Sequence, residues 1–465
     1  MTQRNVVKSL LVVMTAAFLG ACSESYPGLE FDHSQGQNGI TNQDTWSEKT
    51  PIMVFVNEQD LFTVKTRGLG PFETNDTTKA TRLQNSTFHV FAFRDGQFTQ
   101  SNIPALNSPT NFKWYFNATN GPAGYFDTEQ ATCLLDGPDF NKGLPLYLRP
   151  QGNGLLHASK AGDEEPEFFY SSVHQQVPYN FYSYYIDDIV PSQVIRDETG
   201  IHFKMEIDGS QDVMCGAAPN LLDEIRNGKK DNVWNTLNND EKRTIENIGG
   251  YCAFTAHRDI HPMINMTHQL TQLKFEAYPG DASSNNITIT GISVKSKYKG
   301  TLTVAARDVK EVGFKFDDKD SLYLALRDSA DGKTPLPPLK EYKVNYTEEM
   351  KDIKWYNRPK ICIGSSLLLA PDSIYTLRIN YKELVTHTIG SSTPELIDRH
   401  IDYTLKPPAT SMSKTPDGNG FWFAPGVVYP IQIAIYGAQA FEIYANIEGW
   451  KESDKPIQLD DPDQE

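Results

Sequence analysis

Short alternating segments separated by turn residues constrain the fold of this chain most strongly. Hydropathy alternates along the segment Thr87–Phe93, which stops at Asp95-Gly96, a pair typical of hairpin turns. Similar short segments recur at Leu144–Leu148 and Phe181–Ile186. Strands broken by Gly and Pro turns favour an all-β sandwich, so we expect one in the first half of the chain.

A second series of strand-like segments starts at Ile264. It includes Leu270–Ala277, Ile287–Val294, Ile374–Tyr381 and Val428–Ile435. Their number predicts a second β-sandwich. Because no repeat of fixed period is visible, solenoid and propeller folds lose support.

The segment Asn220–Ile248 has a different period from these strands. Its apolar residues recur every three or four positions, as in an amphipathic helix, and Asn239 or Asp240 is placed to cap one. We therefore expect two short helices, inserted between the β-domains and facing solvent on one side.

The N-terminus has the pattern of a bacterial lipoprotein signal peptide. Arg4 and Lys8 precede the apolar run Leu10–Leu19, and Gly20-Ala21 lead to Cys22. The apolar run is too short to remain as a membrane-spanning helix, and the small residues suit cleavage. We expect lipid on the thiol of Cys22 and a mature domain outside the cytoplasm.

These patterns divide the chain into six parts. They are a lipobox signal peptide (1–22), a flexible tether (23–47), an N-terminal β-sandwich (48–213), a linker with the helical insert (214–262), a C-terminal β-sandwich (263–450) and an acidic tail (451–465). The net charge of −16 argues against binding to nucleic acid or to anionic lipid, since both require a basic surface.

Four cysteines remain besides Cys22. The four form an even number in a compartment outside the cytoplasm, where disulfides can form. Cys215 and Cys252 flank the polar insert and are the first candidates for a disulfide. Four separate buried thiols, with Cys133 and Cys362 included, are the open alternative.

Motifs for catalysis or metal binding are weak. His257 and His261 have helical spacing, but Pro262 follows directly and no Glu lies between them, so we expect no zinc site. His268 lies in an alternating segment, where a buried and hydrogen-bonded histidine is expected. We therefore expect no cofactor and no enzymatic activity.

Seven segments between Pro51 and Trp450 carry a family resemblance when taken in order. They are Val177–Tyr185, Gln211–Met214, Met263–Phe275, Ile289–Val294, Leu367–Pro371, Trp422–Tyr429 and Ala445–Trp450. Behind a lipobox, this series resembles the fimbrillin family of pilus subunits of anaerobic Gram-negative bacteria.

The resemblance implies two tandem transthyretin-like β-sandwiches in a lipoprotein of the outer membrane. An Arg-specific surface protease then removes the lipid and the first strand together. The open sheet edge that remains would accept a strand from another pilus subunit through main-chain hydrogen bonds.

The resemblance also assigns residues to these steps. The matching first strand is Ile52–Val64, and the matching cleavage site is Arg67, with Arg82 as the alternative. The apolar residues of this strand are Ile52, Val54, Val56, Phe62 and Val64.

The C-terminal tail is a poor donor strand, because only Ile457 and Leu459 alternate in it. Phe441–Ile447 could be donated instead. We therefore expect a tip or accessory subunit that mediates adhesion, with a host or bacterial ligand that the sequence does not identify.

A surface lipoprotein that binds glycans is the alternative function. Its candidate contact residues are Trp114, Tyr115 and Trp355. Aromatic clusters of this kind, Phe181–Tyr185 included, also serve as core and edge packing, since aromatic rings bury much apolar area.

Overall fold

The computed structural model describes most of the chain after residue 50. The described residues are 50–57, 63–64, 73–74, 86–94, 133–135, 142–150, 155–159, 170, 175–187, 189–197, 199–228, 231–306, 308–328, 336–385, 394–438 and 441–445. Strands predominate among them, which confirms the predicted all-β class.

The described residues before the helical insert form eleven strands. In chain order they are β1 (Phe55–Asn57), β2 (Thr63–Val64), β3 (Glu73–Thr74), β4 (Phe88–Arg94), β5 (Cys133–Leu135), β6 (Leu144–Pro150), β7 (Leu155–Ser159), β8 (Tyr179–Ile186), β9 (Gln193–Arg196), β10 (Gly200–Glu206) and β11 (Val213–Ala217).

The described residues of Asn220–Ile248 form three short helices where the sequence predicts two, and a fourth helix follows this segment. They are α1 (Leu221–Arg226), α2 (Asp231–Trp234), α3 (Asn239–Ile248) and α4 (Ala253–Ala256).

The residue that caps α3 is Asn238, one position before the predicted caps. Its side chain accepts bonds from the amides of Asp240 and Glu241, and the Glu241 carboxylate accepts from the Asn238 amide. This reciprocal capping box satisfies amides that the first helical turn leaves unbonded. Ile245 and Ile248 are buried while most of the remaining helix is exposed, as the period predicts.

After the insert, the part of the chain that the structure describes forms another eleven strands. They are β12 (Met263–His268), β13 (Thr271–Pro279), β14 (Ile287–Lys297), β15 (Lys299–Ala306), β16 (Gly313–Phe316), β17 (Ser321–Ala325), β18 (Ile361–Leu369), β19 (Tyr375–Val385), β20 (Glu395–Leu405), β21 (Val428–Ile435) and β22 (Phe441–Ala445).

The largest sheet closes on itself. Strands β4, β6, β7, β1, β12, β11 and β8 pair in that order, and β8 also pairs with β4. Strand β5 pairs antiparallel with β4. A second sheet, β16-β15-β10-β9, packs on β8: Tyr182 donates from its hydroxyl to the Ala306 carbonyl at 2.7 Å, and the Tyr184 ring meets the Phe203 ring edge-on at 5.0 Å.

The remaining two large sheets form a second sandwich. Their orders are β18-β13-β21-β22 and β17-β14-β19-β20. The Tyr375 ring of β19 stacks on Phe423 at 4.6 Å, and Tyr381 of β19 packs against Phe441 of β22 at 5.3 Å. These contacts hold the two sheets face to face over one continuous apolar core.

Among the described residues, three pairings join strands that lie on opposite sides of the insert in sequence. They are β1 with β12, β11 with β12 and β10 with β15. The proposed domain limits at residues 213 and 263 stay a prediction.

Close backbone approach makes Gly216 essential to the pairing of β11 with β12. A Cβ atom at this position would lie 1.9 Å from the Asn265 carbonyl oxygen. We predict that Gly216→Ala lowers the free energy of unfolding by about 2–3 kcal/mol, because backbone atoms must move apart. Urea unfolding measures the change.

Gly420→Ala is the matched control. Its added Cβ would lie 3.6 Å from the nearest atom, in Thr415, so we expect a change below about 0.5 kcal/mol. Equal stability losses in the two variants would contradict the assignment of strain to the β11–β12 pair.

Candidate functional site

The first strand is paired along both of its edges. Phe55 lies opposite Met263 of the parallel strand β12, and its amide donates to the Pro262 carbonyl at 3.0 Å. On the other side, the Val54 carbonyl accepts from the amide of Ala158 in the antiparallel strand β7 at 2.9 Å. The strand therefore lies inside the sheet.

The side chains of this segment are buried on both faces. Ile52, Val54 and Val56 are 4%, 2% and 1% exposed, and alternation places them on one face. Met53, on the opposite face, is 6% exposed. Full burial of an aliphatic side chain contributes about 1.5–3 kcal/mol, so the segment is part of the core. We call the space that residues 50–57 fill between β7 and β12 the first-strand slot.

The helical insert contacts one end of the first-strand slot. Thr50 Oγ1 lies 2.6 Å from His257 Nε2, and the Phe55 ring centroid lies 5.8 Å from that of His261. The Thr50 carbonyl also accepts from the Tyr170 amide at 2.8 Å. Thr50 is thus held by both its backbone and its side chain.

Arg258 fixes α4 against α3 directly after His257. Its guanidinium lies 3.6 Å from the Phe254 ring centroid, and its Nε donates to the Glu241 carboxylate at 3.0 Å. Both partners are largely shielded from solvent, which strengthens the pair relative to an exposed one. This arrangement positions the turn that carries His257 beside Thr50.

Burial lowers the pKa of His257 to about 4, and the charge of Arg258 acts in the same direction. Burial also lowers the pKa of His89 to about 4, with Lys142 contributing. His89 stacks on the Tyr184 ring at 4.9 Å within the same sheet. Both imidazoles are therefore neutral at pH 7.

The predicted first-strand residues divide between two strands. Ile52, Val54 and Val56 line the first-strand slot, whereas Val64 belongs to β2, which pairs with β3 in parallel. Residues 58–62 lie outside the described residues, so a continuous strand Ile52–Val64 stays a prediction. Outside the described residues lie Cys22, Phe62, Arg67 and Arg82.

The position of β1 also differs from the expected sheet margin. Because β12 returns from beyond residue 260 to pair with β1, the strand has a neighbour on each side. Removal of the first strand would leave a slot with two unpaired edges rather than one open margin.

The C-terminal strand β22 lies at the margin of its sheet. It pairs with β21, and the Phe441 side chain is buried. Residues 446–465, including Ile457 and Leu459 of the C-terminal tail, fall outside the described residues.

The aromatic residues considered for glycan binding serve packing where the structure describes them. Trp355 is half-buried, stacks on Tyr444 of β22 at 5.4 Å and meets Tyr278 edge-on at 5.3 Å. Trp114 and Tyr115 lie outside the described residues. Phe181, Tyr182, Tyr184 and Tyr185 are buried in the core.

The histidine predictions can be compared with the structure directly. His268 is buried and its Nδ1 lies 3.1 Å from Asp212 Oδ1, which confirms the predicted hydrogen-bonded core histidine. His257 contacts Thr50, while His261 pairs with Asp259 at 3.2 Å. Within the described ranges, no three His, Cys, Asp or Glu residues are grouped as a metal site.

The proposed disulfide between Cys215 and Cys252 is not formed. Both residues are buried free thiols, and Cys362 is an exposed one. Burial raises the pKa of Cys252 to about 11, which keeps this thiol protonated.

Sequence reasoning missed Thr50, His257 and His261 as parts of the first-strand slot. Thr50 and His257 are 207 positions apart, so no local period or motif connects them. The apolar alternation of Ile52, Val54 and Val56 identified the strand but could not identify its neighbours.

Comparisons with known proteins give only distant matches. No protein-family model matches the sequence, and no curated protein matches it. A solved structure of a proposed cell adhesion protein from Bacteroides ovatus is similar at 10% identity and a TM-score of 0.36, covering 87% of this chain and 99% of that chain.

Two further proposed cell adhesion proteins give similar results. The match from Bacteroides eggerthii has 10% identity and a TM-score of 0.32, covering 86% of this chain and 97% of that chain. The match from Bacteroides fragilis has 8% identity and a TM-score of 0.27, covering 87% and 99%. At these TM-scores the likeness carries no conclusion about this chain.

No helix in the described part of the chain is both long enough and apolar enough to span a membrane.

The two neutral histidines predict loss of stability in acid. Their folded-state pKa of about 4 lies below the ordinary 6.5, so the unfolded chain binds more protons between these values. Unfolding free energy should therefore fall as the pH drops from about 6.5 to about 4. Urea midpoints across this range measure the effect.

His257→Gln and His89→Gln are the test variants, since neither glutamine titrates. Each should flatten part of the pH dependence, and the double variant should flatten more. An unchanged slope in the double variant would show that other groups cause the acid sensitivity.

Proposed function

We propose that this protein is a pilus subunit that joins other subunits at the cell surface by strand exchange and takes part in adhesion. The observation that carries the proposal is the first-strand slot, in which one short N-terminal segment fills a core position between two strands. The resemblance to fimbrillins implies that a strand of another subunit replaces this segment.

The proposed assembly begins with an anchored precursor. Lipid on Cys22 holds the protein at the outer membrane, and an Arg-specific surface protease cuts after Arg67 or, alternatively, Arg82. Either cut separates residues 50–57 from the body of the chain. The segment is then held by noncovalent contacts alone and can be replaced.

An incoming strand has clear chemical requirements at this position. It must pair with β7 on one side and β12 on the other, so its backbone groups are bonded along both edges. It must also present apolar side chains at alternate positions to replace Ile52, Val54 and Val56. A strand of ~6 residues with three such anchors meets both requirements.

The subunit position that we propose is a tip or accessory one. Its own C-terminal tail has only Ile457 and Leu459 as alternating apolar residues, so donation from the tail would be weak. Donation of β22 would require breaking its pairing with β21 and exposing Phe441. The protein would accept a strand more readily than it gives one.

A labelled peptide tests the slot directly. We predict that a synthetic peptide of residues 50–57 replaces the first strand after cleavage at Arg67. It should bind the uncut chain at least ~100-fold more slowly, because the covalently attached strand returns to the slot before the peptide can enter. Fluorescence anisotropy of the Cys22→Ala protein, cut by an Arg-specific protease, measures the binding.

Matched controls separate specific pairing from nonspecific adhesion. The Val54→Asp peptide should not bind, because it would bury a carboxylate in the core. An Arg67→Ala, Arg82→Ala chain should resist activation by the protease at these sites. Equal binding of both peptides, or none to the cut chain, would contradict the slot mechanism.

N-terminal sequencing of the surface-exposed protein tests the processing steps. We expect the mature form to begin after Arg67 or Arg82 and to lack Cys22. A mature form that retains acylated Cys22 would instead indicate a permanently anchored subunit.

A further inference from the structure

The long strand β20 forms one margin of the sheet β17-β14-β19-β20. Its eleven residues, Glu395–Leu405, lie opposite Val385–Tyr375 of β19 without a bulge. On its other side, no strand among the described residues pairs with it. Within the described part of the chain, its outward backbone groups have no strand partner, as pairing with another chain requires.

Strand β20 carries charged residues on both faces, including Arg399 on the inner one, but it lacks two other features that prevent edge pairing. It contains no proline and no bulge, and it is longer than the typical edge strand. Its outer face presents Leu396, Asp398, His400, Asp402 and Thr404, all of which are exposed. Its inner face carries Ile397, Ile401 and Leu405 toward the core.

We propose that β20 pairs antiparallel with β20 of a second copy of this chain about a two-fold axis at Ile401. The two four-stranded sheets would then continue as one sheet. This interface does not involve the first-strand slot, and it does not depend on the proposed pilus function.

Two-fold symmetry restricts how the two strands can align. A two-fold axis normal to the sheet keeps each face on its own side, so one residue must lie opposite its own copy. Three alignments pair nine or more of the eleven residues, and they are centred on Arg399, His400 or Ile401.

Charge decides among these three alignments. Centring on Arg399 places two guanidinium groups opposite each other, and centring on His400 places Asp398 opposite Asp402 twice. Both arrangements set like charges against each other across the strand pair, which is unfavourable. Centring on Ile401 sets no like charges opposite each other.

The alignment on Ile401 also gives favourable pairs on both faces. His400 lies opposite Asp402 of the second copy, and Asp398 lies opposite Thr404 of the second copy, each twice by symmetry. On the inner face, Ile401 meets its own copy and Ile397 meets Leu405. Arg399 lies opposite Tyr403 of the second copy on the same inner face, so hydrogen-bonding partners align outside and mostly apolar partners align inside.

The Asp402 side chain is held in place on the outer face, where it would contact His400 of the second copy. Arg378 of β19 binds its carboxylate with two hydrogen bonds at 2.8 and 2.7 Å, which orients it. This pairing also lowers the pKa of Asp402, so the group is charged at pH 7. The net charge of −16 on each copy opposes association over longer distances, and salt should screen that repulsion.

Variants at Thr404 test the interface without touching the core. Thr404 is exposed and faces Asp398 of the second copy in the proposed alignment. Thr404→Asp should weaken dimerisation by about tenfold or more, and Thr404→Lys should strengthen it. Light scattering coupled to size-exclusion chromatography of the Cys22→Ala protein, at up to ~0.1 mM, measures the dimer.

Ser321→Asp is the matched control for added charge. Ser321 is exposed on β17, the opposite margin of the same sheet, so its change should leave dimerisation unaltered. Circular dichroism checks that all three variants are folded.

Cysteine cross-linking tests the alignment itself. In a Cys22→Ala, Cys362→Ser background, chains carrying Asp398→Cys should form a disulfide with chains carrying Thr404→Cys, whereas neither should cross-link to itself. A monomer at every concentration, or cross-links of Asp398→Cys with Asp402→Cys instead, would overturn the proposal.

Discussion

Backbone pairing of residues 50–57 on both edges is the constraint on which the first half of the structure depends. The ring of strands is complete only when β1 lies between β7 and β12. Four buried apolar side chains and the Thr50–His257 contact reinforce this position. A single short segment thus joins the start of the chain to the helical insert and to β12.

The sequence predicts strands well where one face is apolar and the other is polar. Val428–Ile435 has the predicted boundaries, and its alternate residues Tyr429, Ile431, Ile433 and Ile435 are all buried. Strand β20 was not predicted, because Asp398, Arg399 and His400 interrupt its apolar residues. An exposed edge strand buries little side-chain area, so its sequence need not show a regular alternation.

The candidate site could be predicted only in part, for a related reason. Ile52, Val54 and Val56 follow the local period of a strand, which sequence alone reveals. The partners of that strand, and the burial that keeps His257 neutral, arise from chain segments about 200 positions away. Likewise, the helix cap is Asn238, which forms a capping box with Glu241, whereas the sequence pattern predicts the cap at Asn239 or Asp240.

The covalent connection of residues 50–57 to the rest of the chain has a consequence for competition between molecules. While the chain is continuous, its own first strand is tethered near the slot at an effective concentration in the ~mM range, well above that of any neighbour's strand in dilute solution. Cleavage of this connection after residue 57 would abolish the advantage at once. The local concentration of subunits, and how well the apolar side chains of each strand fill the first-strand slot, would then decide which strand occupies it.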